Sequence, residues 1–159
     1  YEISLGLVGS EMCIRDRLNN GLYKGAKVLV AGDNFGTGSS REHAPWGLQD
    51  WGFEAIISTK FADIFRLNSI NIGLVPIETN QENVEALFSK IDTDSETIIQ
   101  ISIEDKTVVC GDISFSFSLD DFSQKRIIEG LDKIDITLGY LDQIENFSQS
   151  RKHWKPKLV

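Results

Sequence analysis

Three short apolar runs alternate with segments of helical periodicity between residues 27 and 90, and this alternation constrains the fold more than any other feature. The apolar runs are 27–31, 54–58 and 73–77, and the helical segments are 41–51, 61–70 and 81–90. Strands that alternate with helices in this way form a mostly parallel sheet with crossover helices. The first half of the chain therefore predicts a βαβαβα unit.

The pattern changes after Asp92, where apolar and polar residues alternate with a period of two. The segments 97–103, 107–110 and 115–117 indicate antiparallel hairpins. Asp120 is placed to cap a helix over 121–129 that Gly130 ends, and a further helix is predicted over 137–147. We therefore predict an α/β fold with a mixed parallel/antiparallel sheet and flanking helices.

The composition excludes several classes of function. The net charge is −8, from 24 acidic and 16 basic residues, so the chain lacks the basic footprint of proteins that bind nucleic acid or anionic membranes. No apolar run approaches the length of about 20 residues that a membrane span needs. The two cysteines, Cys13 and Cys110, cannot form a zinc site or hold an iron–sulfur cluster alone. Low cysteine use favours a cytoplasmic location.

The two ends of the chain are predicted to lie outside the domain. Residues 4–17 resemble translated sequencing-adapter readthrough, so we predict that 1–17 is a non-native or disordered segment. Residues 18–150 are predicted to form the domain, and 151–159 a polar tail. A short native strand and turn is the alternative for the first segment.

A glycine-rich loop, Gly32–Gly38, follows the first predicted strand, and Ser39, Ser40 and Arg41 come directly after it. Glycine lets the backbone turn tightly and approach a ligand, and the next helix begins where amide N–H groups are unpaired. An arginine adds a fork suited to a carboxylate. The loop therefore predicts a pocket for a carboxylate or phosphate beside a reactive hydroxyl.

Other interpretations of this loop remain open from the residues alone. It lacks the Gly-Lys-Ser/Thr end of a Walker A loop, and Arg41 stands where a dinucleotide fingerprint needs glycine or alanine. The loop could be a structural turn with an N-cap serine, or part of a non-catalytic module that binds an anion or nucleotide. Glu42 and His43 are interpreted as residues that order the loop, with a role as proton donor as the alternative for His43.

The segment 36–46, GTGSSREHAPW, resembles the signature of the small subunit of 3-isopropylmalate dehydratase, which corresponds to the swivelling domain of the aconitase superfamily. The similarity continues through 61–65, 68–69, Asn71, 73–74 and Pro76, and through 130–134 and 137–138. It covers about residues 21–147. The signature is specific for the superfamily and less specific for the substrate.

The resemblance implies a swivelling β/β/α domain and a role in a two-subunit hydro-lyase of leucine biosynthesis. Such an enzyme isomerises 2-isopropylmalate and 3-isopropylmalate by dehydration and rehydration. The chain would hold no metal, because a large partner subunit carries a four-iron four-sulfur cluster. The implied residues are Ser39 as catalytic base, Arg41, Ser40, Gly38 and Thr37 as ligands of the small dicarboxylate substrate, and Gly36, His43 and Glu42 as supports of the loop.

The chain departs from the family pattern at its start. Complete small subunits carry several tens of residues before this point, including an Asp-Thr-Asp segment and a loop that helps to set substrate choice, and neither is recognisable before Leu18. We therefore predict that the chain is N-terminally truncated. The alternatives for the substrate are homoaconitate, citraconate or a dimethylmalate.

Overall fold

The computed structural model describes residues 21–38, 41–94, 96–131, 133–152 and 154–155. The predicted segment 1–17 lies outside these residues, as does most of the predicted tail, 151–159. The division of the chain at residues 17 and 150 therefore stays a prediction.

A parallel sheet of three strands forms the centre of the first half, as predicted. The strands lie in the order β1-β2-β3 and are joined by helices, with a further helix after the last strand. The elements are β1 (Val28–Val30), α1 (His43–Trp51), β2 (Ala55–Ser58), α2 (Asp63–Ile72), β3 (Val75–Glu78) and α3 (Gln81–Thr93). Pro76 lies in β3 at the edge of this sheet, where a missing backbone donor is tolerated.

A second, antiparallel sheet follows, with the order β4-β5-β6. Its strands are β4 (Gln100–Ser102), β5 (Thr107–Cys110) and β6 (Ile113–Ser116), and three helices follow, α4 (Asp121–Glu129), α5 (Lys133–Leu138) and α6 (Leu141–Ser150). Parallel and antiparallel strands are both present as predicted, but they occupy separate sheets. β4 is shorter than the predicted segment 97–103.

The parallel sheet is buried on both faces because its strands are apolar except at Ser58 and Glu78, the last residues of β2 and β3. Leu29 and Ile56 belong to a core cluster with Leu48 of α1 and Phe65 of α2. The alternate residues of the same strands join a second cluster, which includes Leu87 of α3 together with Val108 and Cys110 of the antiparallel sheet. The sheet is therefore covered by α1 and α2 on one face, and by α3 and the antiparallel sheet on the other.

The predicted single helix over 137–147 is wrong, because the described chain forms two helices, α5 and α6, that are separated at Gly139 and Tyr140. The Tyr140 N–H donates to the Thr137 carbonyl at 3.0 Å, which closes a tighter turn than the α-helix. Glycine has a low helix propensity, so a break at Gly139 costs little free energy.

Gly130 ends α4 as predicted, with φ of +63°.

Asp120 caps α4 as predicted, since its carboxylate accepts a hydrogen bond of 2.9 Å from the Ser123 N–H. This hydrogen bond lowers the pKa of the Asp120 carboxyl below its ordinary value. The cap therefore contributes fully above the carboxyl's unfolded pKa and is lost as the pH falls through the lower folded value.

We expect Asp120→Ala to reduce the free energy of unfolding by about 1 kcal/mol at pH 7, the ordinary cost of losing a cap. Urea unfolding at several pH values measures this difference, which should shrink below pH ~4. Asp142→Ala, an exposed first-turn acid of α6, is the control. A deficit in Asp120→Ala that stays constant from pH 7 to pH 3 would contradict the cap's ionic character.

Candidate functional site

The loop Gly32–Gly38 lies at the carboxyl edge of the parallel sheet, directly after β1. Its backbone is tied to the segment that follows β2. The Phe35 N–H donates to the Lys60 carbonyl at 2.9 Å, and the Ala62 N–H donates to the Phe35 carbonyl at 2.9 Å. Ligands of open α/β sheets bind outside this edge, so the loop stands where the fold class places its sites.

Two polar side chains at the end of β2 also fix the loop. Ser58 is fully buried, and its hydroxyl donates to the Gly32 carbonyl at 2.6 Å. The Thr59 hydroxyl donates to Asp33 Oδ1 at 2.8 Å, while Asn34 Nδ2 donates to Asp33 Oδ2 at 2.7 Å. The first half of the loop is therefore held by side-chain bonds in addition to the backbone.

The loop is anchored in the core by three phenylalanines, of which Phe35 belongs to the loop itself. Phe35 packs edge-on against Phe61 and Phe65, with ring centroids 6.1 Å and 5.3 Å away. All three rings are buried. Gly36 has φ of +83°, and a Cβ added there would lie 2.5 Å from Phe65 Cβ and in contact with its ring. The backbone at Gly36 can rest on the aromatic cluster only because it carries no side chain.

The residues predicted to contact substrate follow Gly36 in the chain, and those that the structure describes are at the surface. Thr37 and Gly38 are exposed, and so is Arg41. Ser39 and Ser40 lie outside the described residues, so their roles stay predictions. The helix begins at His43, within the predicted start, and Pro45 occupies its first turn as expected.

The predicted loop supports take different positions. Glu42 is the N-cap residue of α1, but its side chain makes no capping hydrogen bond. The His43 ring is exposed and packs edge-on against Trp46 at a centroid distance of 5.1 Å. Gly36 rests on Phe65. Their roles in supporting the catalytic loop stay predictions.

A cavity of about 320 Å³ lies beside the start of α1. Three of its lining residues are exposed and are called its rim, Glu42, Trp46 and Ile134, and the others are partly or fully buried, Asn68, Asn71, Ile72 and Arg126. Arg126 is 8% exposed, and its Nη1 donates to Asn71 Oδ1 at 3.1 Å. Its guanidinium carbon lies 5.9 Å from the centroid of the Phe122 ring.

Metal-ligating side chains are not clustered within the described part of the chain. Cys110 is 1% exposed in the second core cluster, and burial raises the pKa of its thiol, which disfavours the thiolate that binds metal. Within the same residues, no helix combines the length and apolar character that a membrane span requires.

Several residues around the loop and cavity were not selected from the sequence. Ser58 gave no signal, because a serine at a strand end is ordinary. Asn68 and Asn71 were noted only as part of the resemblance, although they line the cavity. Nothing in the sequence distinguishes Arg126 within its helix, and only the folded chain shows that it is buried and bonded to Asn71 of α2.

Comparisons with known proteins agree with this architecture. The family model described as the aconitase C-terminal domain matches residues 15–82. The 3-isopropylmalate dehydratase small subunit of Micrococcus luteus is 45% identical over 139 residues, which are 87% of this chain and 69% of that protein. The protein of the same name from a Nocardioides species is 44% identical and is covered over 72% of its length.

A solved structure that the chain resembles is also a 3-isopropylmalate dehydratase. The crystal structure of 3-isopropylmalate dehydratase from Methanocaldococcus jannaschii matches with a TM-score of 0.55 and 28% sequence identity. The match covers 75% of this chain and 68% of that one. The chain therefore belongs to the family of 3-isopropylmalate dehydratase small subunits, which carry the aconitase C-terminal domain.

Proposed function

We propose that this chain joins a large subunit to form a hydro-lyase that interconverts 2-isopropylmalate and 3-isopropylmalate in the cytoplasm. The observation that carries the proposal is the loop 32–38, held at the carboxyl edge of the parallel sheet and followed by an exposed Arg41. The names of the relatives support the substrate and the existence of a partner.

In this proposal Ser39 removes the proton from the substrate carbon as an alkoxide. Serine is a weak base, so the alkoxide needs hydrogen-bond donors that already point at its oxygen. Ser40 and the backbone N–H groups of the loop are proposed to supply them. The anchoring of Phe35 and Gly36 on buried rings supports this role, because a fixed backbone orients its donors without further cost.

Arg41 is proposed to bind a substrate carboxylate together with Thr37 and Gly38. An arginine fork fits a carboxylate with two hydrogen bonds and orients the acid on one face. A charge-assisted bond of this kind contributes about 1.5–3 kcal/mol. The chain carries a net charge of −8, so a dianionic substrate needs such a local cation.

The metal centre is proposed to belong to the large subunit. A four-iron four-sulfur cluster bound there supplies a Lewis acid for the departing hydroxyl. Such clusters are held by about three or four thiolates, and this chain has only two cysteines, of which Cys110 is buried in the core. The residues of this chain therefore do not fit the cluster.

The proposal is tested by coexpressing the chain with the large subunit of its own genome and measuring conversion of 2-isopropylmalate. We expect turnover only with both subunits. The same complex assayed with homoaconitate, citraconate and 2,3-dimethylmalate should show kcat/KM at least about tenfold lower, as pocket fit for alkyl groups allows. A higher kcat/KM for one of these acids would reassign the substrate.

A titration of the chain alone with nucleotides separates the proposal from a non-catalytic binding module. We expect no heat of binding with ATP or NAD at millimolar concentration. Tight nucleotide binding together with an inactive complex would overturn the proposed function.

A further inference from the structure

We propose that the cavity beside α1 is a second anion site, which binds a carboxylate carried on a short hydrocarbon stem. The inference does not depend on the proposed roles of Ser39 and Arg41. The carboxylate could belong to a free short-chain acid or to an aspartate or glutamate side chain of the large subunit.

The positive charge of the site is Arg126. It is 8% exposed, and its Nε is buried with no hydrogen-bond partner. Within the described part of the chain, no ion pair joins this guanidinium to a carboxylate, and it contacts Asn71 Oδ1 and the face of the Phe122 ring. A buried arginine keeps its charge and retains unused donors, so it favours an anion that can enter the cavity.

Fixed geometry prepares the guanidinium for this role. Asn71 Oδ1 accepts a hydrogen bond of 3.1 Å from Arg126 Nη1, and this bond fixes the orientation of the guanidinium group. The Phe122 ring covers the guanidinium carbon at 5.9 Å. Asn68, which also lines the cavity, brings an amide that can donate to the same anion. The donors therefore converge on the cavity from α2 and α4.

The other walls select the kind of anion. Ile72, Ile134 and the Trp46 ring are apolar surfaces, and a volume of about 320 Å³ admits a small organic acid. An inorganic phosphate would leave these walls in contact with water, whereas a carboxylate with two or three methylene groups would cover them. The rim residues Trp46 and Ile134 are 43% and 67% exposed, so the cavity is open to a ligand.

Glu42 opposes the anion. Its exposed carboxylate lies on the rim, where it weakens the binding of a negative ligand through partly screened repulsion. Neutralising this group should therefore strengthen binding, an effect that damage to the fold cannot imitate.

The test is a titration of the full chain with butyrate, followed through the indole N–H signal of Trp46 in NMR spectra and assigned with Trp46→Phe. Acetate and inorganic phosphate are the comparison ligands. If a free acid is the ligand, Arg126→Met weakens butyrate binding by about tenfold or more, the usual loss for a charged hydrogen-bond partner. Lys125→Met, one residue away and exposed on the same helix, leaves it unchanged.

Glu42→Gln should strengthen the same binding by about threefold, the scale of one exposed charge interaction. Asn68→Leu serves as a second variant that should weaken binding if Arg126→Met does not fold.

If butyrate does not bind, affinity for the large subunit is measured instead. A loss of about tenfold there in Arg126→Met, with no loss in Lys125→Met, assigns the site to a partner carboxylate.

The inference is overturned if butyrate binds no better than phosphate and subunit affinity is the same in Arg126→Met and Lys125→Met. It is also overturned if Glu42→Gln and Asn68→Leu leave both measurements unchanged. These results would leave the proposed catalytic function intact, because that function is tested separately, by the effect of Ser39→Ala on turnover.

Discussion

Replacing Gly36 with alanine is expected to lower the free energy of unfolding by about 3 kcal/mol or more, a large share of the 5–15 kcal/mol typical of a domain. Two causes add at this position. The backbone has φ of +83°, which strains any residue with a Cβ, and the new methyl group would overlap the ring of Phe65. Phe65 cannot move easily, because it is 2% exposed and packed against Phe35.

Gly32→Ala is the matched control, because it lies in the same loop with no heavy atom within 4 Å of the added Cβ and no positive φ. We expect its cost to stay within about 1 kcal/mol. Both variants are compared by urea unfolding followed by far-UV circular dichroism. Equal stability of the two variants would show that the loop does not rest on the aromatic cluster.

The parallel half of the fold was predictable because its signals are local. Each buried strand is a short apolar run, and the caps at Asp120 and Gly130 follow from side-chain and backbone chemistry that needs no tertiary contact. The break at Gly139 was missed for the opposite reason. Helical periodicity continues through Gly139. Whether a single glycine interrupts a helix depends on how the two segments pack, which the sequence pattern does not show.

The candidate site was predictable only in part. The loop and the start of α1 follow from the glycines and Pro45, and the structure confirms where they lie. The support beneath them was not visible, because Ser58 and Phe65 reach the loop from other elements. The cavity was missed entirely, since Arg126 of α4 and Asn71 of α2 are 55 residues apart and meet only in the folded chain.

Replacing Ser39 with alanine is expected to lower kcat of the reconstituted complex by about a thousandfold or more, within the range for loss of a positioned base. That loss corresponds to about 4 kcal/mol of transition-state stabilisation. A methyl group cannot accept the proton from the substrate carbon, whereas substrate binding through Arg41 should persist. KM should therefore change much less than kcat.

Ser118→Ala is the control for this variant. Ser118 is exposed beyond β6, after the antiparallel sheet, so loss of its hydroxyl should leave both kinetic constants unchanged. Melting curves and copurification with the large subunit establish that each variant folds and assembles like the unaltered chain.

We propose that this chain supplies the base of a hydro-lyase whose metal resides on another subunit. The most direct test of this proposal is the rate of 2-isopropylmalate conversion by equal amounts of assembled complex carrying Ser39 or Ser39→Ala. We expect turnover with serine and a rate lower by about three orders of magnitude with alanine. Comparable rates from the two complexes would contradict it.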